Sequence, residues 1–331
     1  DFKNKEYEDA EKGLLKVENV DKYRYQIPFL LSQVYYQQKQ YNKVITYAEP
    51  KLAFSDQNVD QMSHIVGQSY FELGNYKKAI GYLESFLEKN KRVTPEEMYQ
   101  VAFAQYKTGK YKEAIVNLKE LQLADGELAQ NALYALADCY LKLDKKKEAR
   151  ASFASVAKYD FDKSIKEESE FNYGKLCFEL GDENEAITSL KAFISKYPKS
   201  TKTAEAKNLL AEQLVSTKNY PEAIELMEDF DEFTDKNQIV FQKINYFYAV
   251  ELYNDNKQDQ ALVHMDKSTN NAVDNNIDGQ VTFLKAEILF EKKQSKTAME
   301  NYASAYTMLQ KPGMHSANYP HLNALHATAS R

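Results

Sequence analysis

Tryptophan is absent from this chain of 331 residues, and cysteine occurs only twice. Cys139 and Cys177 exclude a disulfide-rich scaffold, and a pair 38 residues apart offers no metal-ligand spacing. They read as two buried free thiols, a scarcity that suits a reducing cytoplasm and a cysteine-poor periplasm alike. No stretch approaches the roughly 18 apolar residues of a membrane-spanning helix. Positive charge is also in deficit. With 43 basic against 49 acidic residues the net charge is −6, which argues against nucleic acid, whose phosphates select a basic stripe. Dinucleotide and phosphate glycine loops, His-Glu-x-x-His and Gly-x-Ser-x-Gly are all missing. The densest acidic run, Asp229, Asp231, Glu232 and Asp235, lacks the glycine and closing Glu of a calcium loop and reads as a solvated connection. His315, His321 and His326 have spacings that do not place two imidazoles on one helical face. His64 and His264 stand in different repeats and read as surface or groove residues. The expectation is therefore no catalytic residue, no metal and no cofactor.

What the chain does have is a period. Tyr-x-x-Ala occurs at Tyr7/Ala10, Tyr76/Ala79, Tyr111/Ala114 and Tyr220/Ala223. Weaker copies fall at Tyr41/Val44, Lys146/Ala149, Glu183/Ala186, Gln258/Ala261 and Ser295/Ala298. Successive anchors are 34, 35, 35, 35, 37, 37, 38 and 37 residues apart. That interval marks stacked helical hairpins, units that cannot bury an apolar face without neighbours. In the hairpin of residues 59–90, Met62, Ile65, Val66, Tyr70 and Leu73 recur at helical spacing before Gly74-Asn75. Glycine and asparagine accept the left-handed conformation that closes a helix. A second helix from about Tyr76 to Glu88 carries Ala79, Ile80, Leu83, Phe86 and Leu87 on one face.

Two further slots repeat. A small residue in mid-helix reads Ser32, Gly67, Ala102, Ala137, Gly174, Ala211, Ala249 and Ala286. The turn residue reads Gly74, Gly109 and Gly181, replaced elsewhere by Lys39, Asp144, Lys218, Asn256 and Lys293. Five of the ten glycines thus fall in two slots, which a random arrangement would not produce.

These marks resemble the tetratricopeptide repeat, with its small residue in helix A, Gly-x-Tyr at the turn, and Ala then an aromatic in helix B. Residues 167–198 carry many of them: Gly174, Phe178, Gly181, Ala186, Phe193 and Pro198. The resemblance implies an all-α, right-handed superhelical solenoid of helix-turn-helix hairpins over residues 1–309. A leading half-repeat, 1–18, precedes about eight hairpins, and 310–331 forms an irregular tail or the start of a further repeat. Both ends read as cuts through a longer array. Phe193-x-x-x-Tyr197-Pro198-x-Ser200 before an Ala-rich helix is similar to tetratricopeptide proteins of the bacterial cell envelope, of the outer-membrane assembly lipoprotein and Tol-Pal coordinator type.

In that fold helix A lines the inner groove, where two slots seven residues apart share one face. They read Phe29, His64, Tyr99, Tyr134, Phe171, Asn208, Tyr246, Phe283, and Tyr36, Phe71, Tyr106, Leu141, Phe178, Val215, Tyr253, Phe290. Twelve of the sixteen are Phe or Tyr, so two aromatic ladders result. Gln33, Gln68 and Lys175 share the wall, among other glutamines (Gln26, Gln37, Gln61) and lysines (Lys107, Lys142). The slots of a carboxylate clamp hold Gln33, Gln68, Phe103, Asp138 and Lys175, which implies no such clamp. Glu205, Glu212, Glu287 and Glu291 make the C-terminal end of the wall acidic. The expected function is capture of a protein or peptide segment in the groove, within a periplasmic or outer-membrane-associated complex and without insertion of this segment into the membrane. The aromatics serve either repeat packing or ligand contact. A glycan or peptidoglycan receptor and a cytoplasmic peptide-sensing regulator remain the alternatives.

Overall fold

The computed structural model describes residues 6–54, 58–90, 92–230 and 234–309. Seventeen α-helices and no strand occur among them. α1 (Tyr7–Val17) leads. Eight hairpins follow: α2 (Ile27–Gln37) with α3 (Tyr41–Ala48), α4 (Val59–Glu72) with α5 (Tyr76–Lys89), α6 (Pro95–Lys107) with α7 (Tyr111–Glu120), and α8 (Gly126–Lys142) with α9 (Lys146–Val156). Next come α10 (Lys163–Glu179) with α11 (Glu183–Lys196), α12 (Thr203–Ser216) with α13 (Tyr220–Glu228), α14 (Asp235–Asn254) with α15 (Gln258–Asn270), and α16 (Asn275–Glu291) with α17 (Ser295–Leu309). All nine anchors of the sequence period are the first residue of their helix. The first member of each hairpin is helix A and the second helix B.

The hairpin turn follows from backbone chemistry. Gly74 N–H donates to Phe71 O at 2.8 Å and Asn75 N–H to Tyr70 O at 2.8 Å, the pair of bonds that satisfies a helix C-terminus when the next residue turns left-handed. The same pair closes every helix A from α2 to α16. Gly74, Gly109 and Gly181 have φ of 72°, 84° and 77°. Lys39, Asp144, Lys218, Asn256 and Lys293 take φ of 55–62° at the same slot, although a Cβ makes that conformation costly. Helix starts have their own devices. Pro28, Pro95 and Pro221 sit at the first or second helical position, and Thr94 and Glu97 exchange side-chain-to-backbone bonds as a capping box at the head of α6.

Packing explains the other slots. The alanine or valine of the period is fully buried in every hairpin, and Ala10 in α1 is 8% exposed. The mid-helix small residue is buried in all eight hairpins. At Gly67 an added Cβ would lie 2.6 Å from Cβ of Tyr82, so glycine is what lets α4 and α5 meet. One expectation changes. Leu73, assigned to the apolar face, is 43% exposed, because it lies beyond the last turn of α4 at the C-cap.

The contacts divide the chain into two compact units, residues 1–176 and 177–331. In the first, Leu31, Leu83, Leu118 and Phe153 are among the fully buried side chains of a core that runs between adjacent hairpins. In the second, Leu190, Phe193, Leu214, Met227, Ile244 and Met265 are buried in the same way. Within each unit helix A packs on the next helix A, α2 on α4, α4 on α6 and α6 on α8, then α12 on α14 and α14 on α16. These contacts are more extensive than those between successive B helices. Each unit therefore curves with its A helices on the inner side. Among the described residues no helix is long and apolar enough to cross a membrane. The expectations for residues 1–5 and 310–331, including His315, His321 and His326, and for Asp231 and Glu232, lie outside the described residues.

Candidate functional site

The A-helix face of the first unit is built by the turn just described. The second ladder slot lies three residues before each left-handed turn residue. Its ring is thereby set against the first residue of helix B. Ring centroids of Tyr36 and Tyr41 are 5.4 Å apart, those of Phe71 and Tyr76 5.4 Å, and those of Tyr106 and Tyr111 6.4 Å. Phe103, which the two-slot pattern passes over, joins the ladders. Its ring lies 5.9 Å from Phe71, 5.6 Å from Tyr76, 5.4 Å from Tyr99 and 5.7 Å from Tyr106. The signal was legible: Phe103 is four residues after Tyr99 and three before Tyr106, hence on their face.

Polar partners tie the rings to the next repeat. Tyr106 Oη donates to Asp138 Oδ2 at 2.7 Å, from α6 to α8, and Tyr134 pairs with Glu168 on α10. Gln68 Nε2 donates to Gln100 Oε1 at 3.0 Å, and Tyr36 also reaches Gln100. Burial first, and carboxylates second, push the hydroxyls of Tyr106 and Tyr134 well above the usual phenol range. Tyr36 rises to about 12, chiefly through burial. These phenols stay neutral; Tyr106 and Tyr134 donate to their carboxylates, whereas Tyr36 accepts from the Gln100 amide. Lysine stems cover ring faces: Lys107 Nζ lies 5.1 Å from the Phe103 centroid and 4.8 Å from that of Tyr106, and Lys175 Nζ 5.9 Å from that of Phe171.

Placement differs along the ladder. Phe29, Gln33, Tyr36, Gln68, Phe71, Tyr99, Tyr106, Tyr134 and Lys175 are half-buried, with part of each side chain open to solvent. Phe171 is only 3% exposed, so its ring belongs to the core and offers a partner almost no surface. His64 departs from the surface or groove position expected of it. It is buried and stacks on Phe86, with centroids 3.5 Å apart and rings 3° from parallel. Burial lowers its pKa to about 4, with Glu97 opposing in part. His264 is half-buried beside Tyr248, with Nδ1 2.9 Å from Asn245 Oδ1. Cys139 and Cys177 are fully buried, and burial pushes the Cys139 thiol up to about 12.

In the second unit Phe178, Tyr246, Tyr253 and Phe283 are half-buried. Phe290 is 59% exposed. Tyr253 Oη donates to Glu291 Oε1 at 2.9 Å, and Tyr302 Oη to Glu287 Oε1 at 2.6 Å. The inward acidic groups are thus partly engaged by the protein's own phenols. Among the described residues no group of His, Cys, Asp and Glu has the arrangement of a metal site.

A face of half-buried rings backed by hydroxyl and amide groups, carried on hairpins joined by left-handed turns, defines a helical-repeat protein. Family models match parts of the chain. Two tetratricopeptide repeat models match residues 105–166 and 168–200, and a model described as anaphase-promoting complex, cyclosome, subunit 3 matches 3–86 and 37–121. The two tetratricopeptide models thus cover the middle of the chain, residues 105–200. No curated protein matches it. Similar solved structures include YrrB, described as a tetratricopeptide protein with an unusual peptide-binding site, at 17% identity and TM-score 0.49, covering 59% of this chain and 97% of that one. A tetratricopeptide protein from Parabacteroides merdae has 14% identity and TM-score 0.41, covering 82% and 99%. The TPR2AB-domain:pHSP90 complex of yeast Sti1 has 17% identity and TM-score 0.39, covering 83% and 99%. Likenesses this distant assign no residue roles here.

Proposed function

We propose that this chain is a scaffold that holds a protein or peptide segment against the A-helix face, with rings as contact surface and amides as hydrogen-bond partners. The observation that carries the reading is the combination of half-buried rings with an inner-facing helix layer. Tyr36, Phe71, Tyr99 and Tyr106 each bury one side in the repeat and leave the other open. Rings held by packing contribute contact area at small entropic cost when a partner arrives. An inner, curved face also suits an extended or helical segment. Tetratricopeptide proteins are general interaction scaffolds, which supports the class. The finer setting, a bacterial cell-envelope complex at the periplasmic side of the outer membrane, rests on the Phe193 to Ser200 motif. That motif also has a packing role: Phe193 is 1% exposed, and the Thr203 hydroxyl donates to Tyr197 O at 2.6 Å.

The test places a photo-crosslinking amino acid at Phe71, and separately at Val116 on the B-helix side, which is 64% exposed. Crosslinks from native cells are expected from position 71 and not from 116, with envelope assembly or secretion proteins recovered. Equal yields from both faces would reject the A-face reading. Recovery of soluble cytoplasmic proteins alone would reject the location.

A further inference from the structure

The first ladder slot loses its ring in α12, where Asn208 stands. A cleft of about 380 Å³ opens there, walled by Pro198 and Thr203 before and at the start of α12, by Ala204 and Asn208 on it, and by Phe230 and Asn237 near the start of α14. Sites for small ligands commonly measure about 300–1,000 Å³, so the space is large enough for a side chain and its flanking peptide group.

The polar groups of the wall separate into spent and unspent. The Thr203 hydroxyl is committed to Tyr197 O. Lys207 Nζ donates to the Asp229 carbonyl at 3.0 Å and lies 3.5 Å from its carboxylate. The cation is therefore neutralised by the protein itself. Asn237 is only 5% exposed, and its backbone N–H is taken by the Thr234 hydroxyl at 3.3 Å. Its carboxamide makes no hydrogen bond among the described residues, and neither does that of Asn208. Neither carboxamide is sealed from solvent, and both line the cleft, so a ligand that enters it can reach them. A carboxamide offers one acceptor and a donor pair on one plane, the complement of a peptide group's N–H and C=O. Phe230 and Pro198 supply apolar walls.

We propose that this cleft is a subsite for a neutral peptide segment. An apolar side chain enters between Phe230 and Pro198, and the adjoining peptide group is held by Asn208 and Asn237. The inference rests on the scaffold reading and adds to it the chemistry of one bound residue. Lys207 confers no preference for an anion, since its charge is already paired.

The experiment is an NMR titration of the isotope-labelled full chain with N-acetyl-leucine-N-methylamide, with sodium acetate and N-acetyl-glutamate-N-methylamide as comparators. Side-chain amide signals of Asn208 and Asn237 are followed. A fragment of this size should bind with a millimolar Kd and shift both signals saturably. Asn237→Ala should raise Kd about tenfold, and Asn208→Phe, which restores a ring to the slot, should abolish the response. Asn208 is half-exposed, so its variant tests the site even where Asn237→Ala does not fold. Unmoved amides with the leucine probe, or stronger binding of acetate or the glutamate probe, would overturn the proposal. Partner crosslinking through Phe71 with unmoved amides would sink the subsite alone. Saturable probe binding without any partner crosslink would sink the scaffold reading alone.

Discussion

His64 occupies a slot that elsewhere holds Phe or Tyr, and the fold treats it as a ring. Stacked on Phe86 and buried, it is held neutral, with a pKa of about 4 against an ordinary 6.5. The unfolded chain binds the proton more tightly, so stability is complete above pH 6.5 and is lost as pH falls from 6.5 toward 4. The loss from this one group is at most about 3 kcal/mol. Urea unfolding of the wild type should show a falling midpoint over that window, and His64→Phe should flatten the profile by about that amount. An unchanged profile would show that His64 keeps its proton in the fold. The left-handed lysines give a second test. Replacing Lys39, Lys218 or Lys293 by glycine removes a Cβ penalty of about 1–2 kcal/mol and adds a backbone entropy cost of about 0.5–1. Each variant should gain about 0.5–1 kcal/mol in thermal or chemical unfolding. Gly67→Ala should lose about 1–3 kcal/mol, because the new methyl meets the Tyr82 Cβ.

At the scale of the element, hairpins are joined by phenol-to-carboxylate bonds that no helical period announces. Tyr106 to Asp138 spans two A helices and couples neighbouring repeats. A double-mutant cycle with Tyr106→Phe and Asp138→Asn should give a coupling of about 1–2 kcal/mol, the lower part of the range for charged hydrogen bonds, because both groups are half-exposed. Zero coupling would reduce the contact to an incidental one. Element boundaries were largely legible, since alanine at a helix-helix contact and a left-handed turn are local requirements repeated at one interval. Candidate site residues were legible only as a face. The pattern placed Phe171 beside Tyr134, and packing buried one ring while leaving the other half open. It listed Asn208 in a ring slot without a ring, and in the structure that position lines a cleft.

For the molecule as a whole, stability is a sum of hairpin and nearest-neighbour terms. Phe153→Ala, in the core between adjacent hairpins of the first unit, should cost about 3–5 kcal/mol. Hydrogen exchange should show lost protection centred on α8 and α9, with α15 to α17 keeping theirs. Uniform loss across all helices would mean one cooperative block instead of a chain of coupled units. The same experiment asks whether residues 1–176 and 177–331 open independently.

The sequence alone determined the first residue of every helix B, the left-handed turn position and the small-residue contacts. Each depends on a few neighbouring residues and on backbone sterics, which repeat with the period. Tertiary structure decided which rings are spent on the core, as with Phe171 and His64, and which stay half open, as with Phe71 and Tyr106. It also decided that tyrosine hydroxyls reach carboxylates 32 to 38 residues away, as at Asp138 and Glu291, and that a missing ring at Asn208 leaves usable space. These outcomes depend on distances between helices from different repeats. A linear pattern does not carry such distances until the hairpins are stacked.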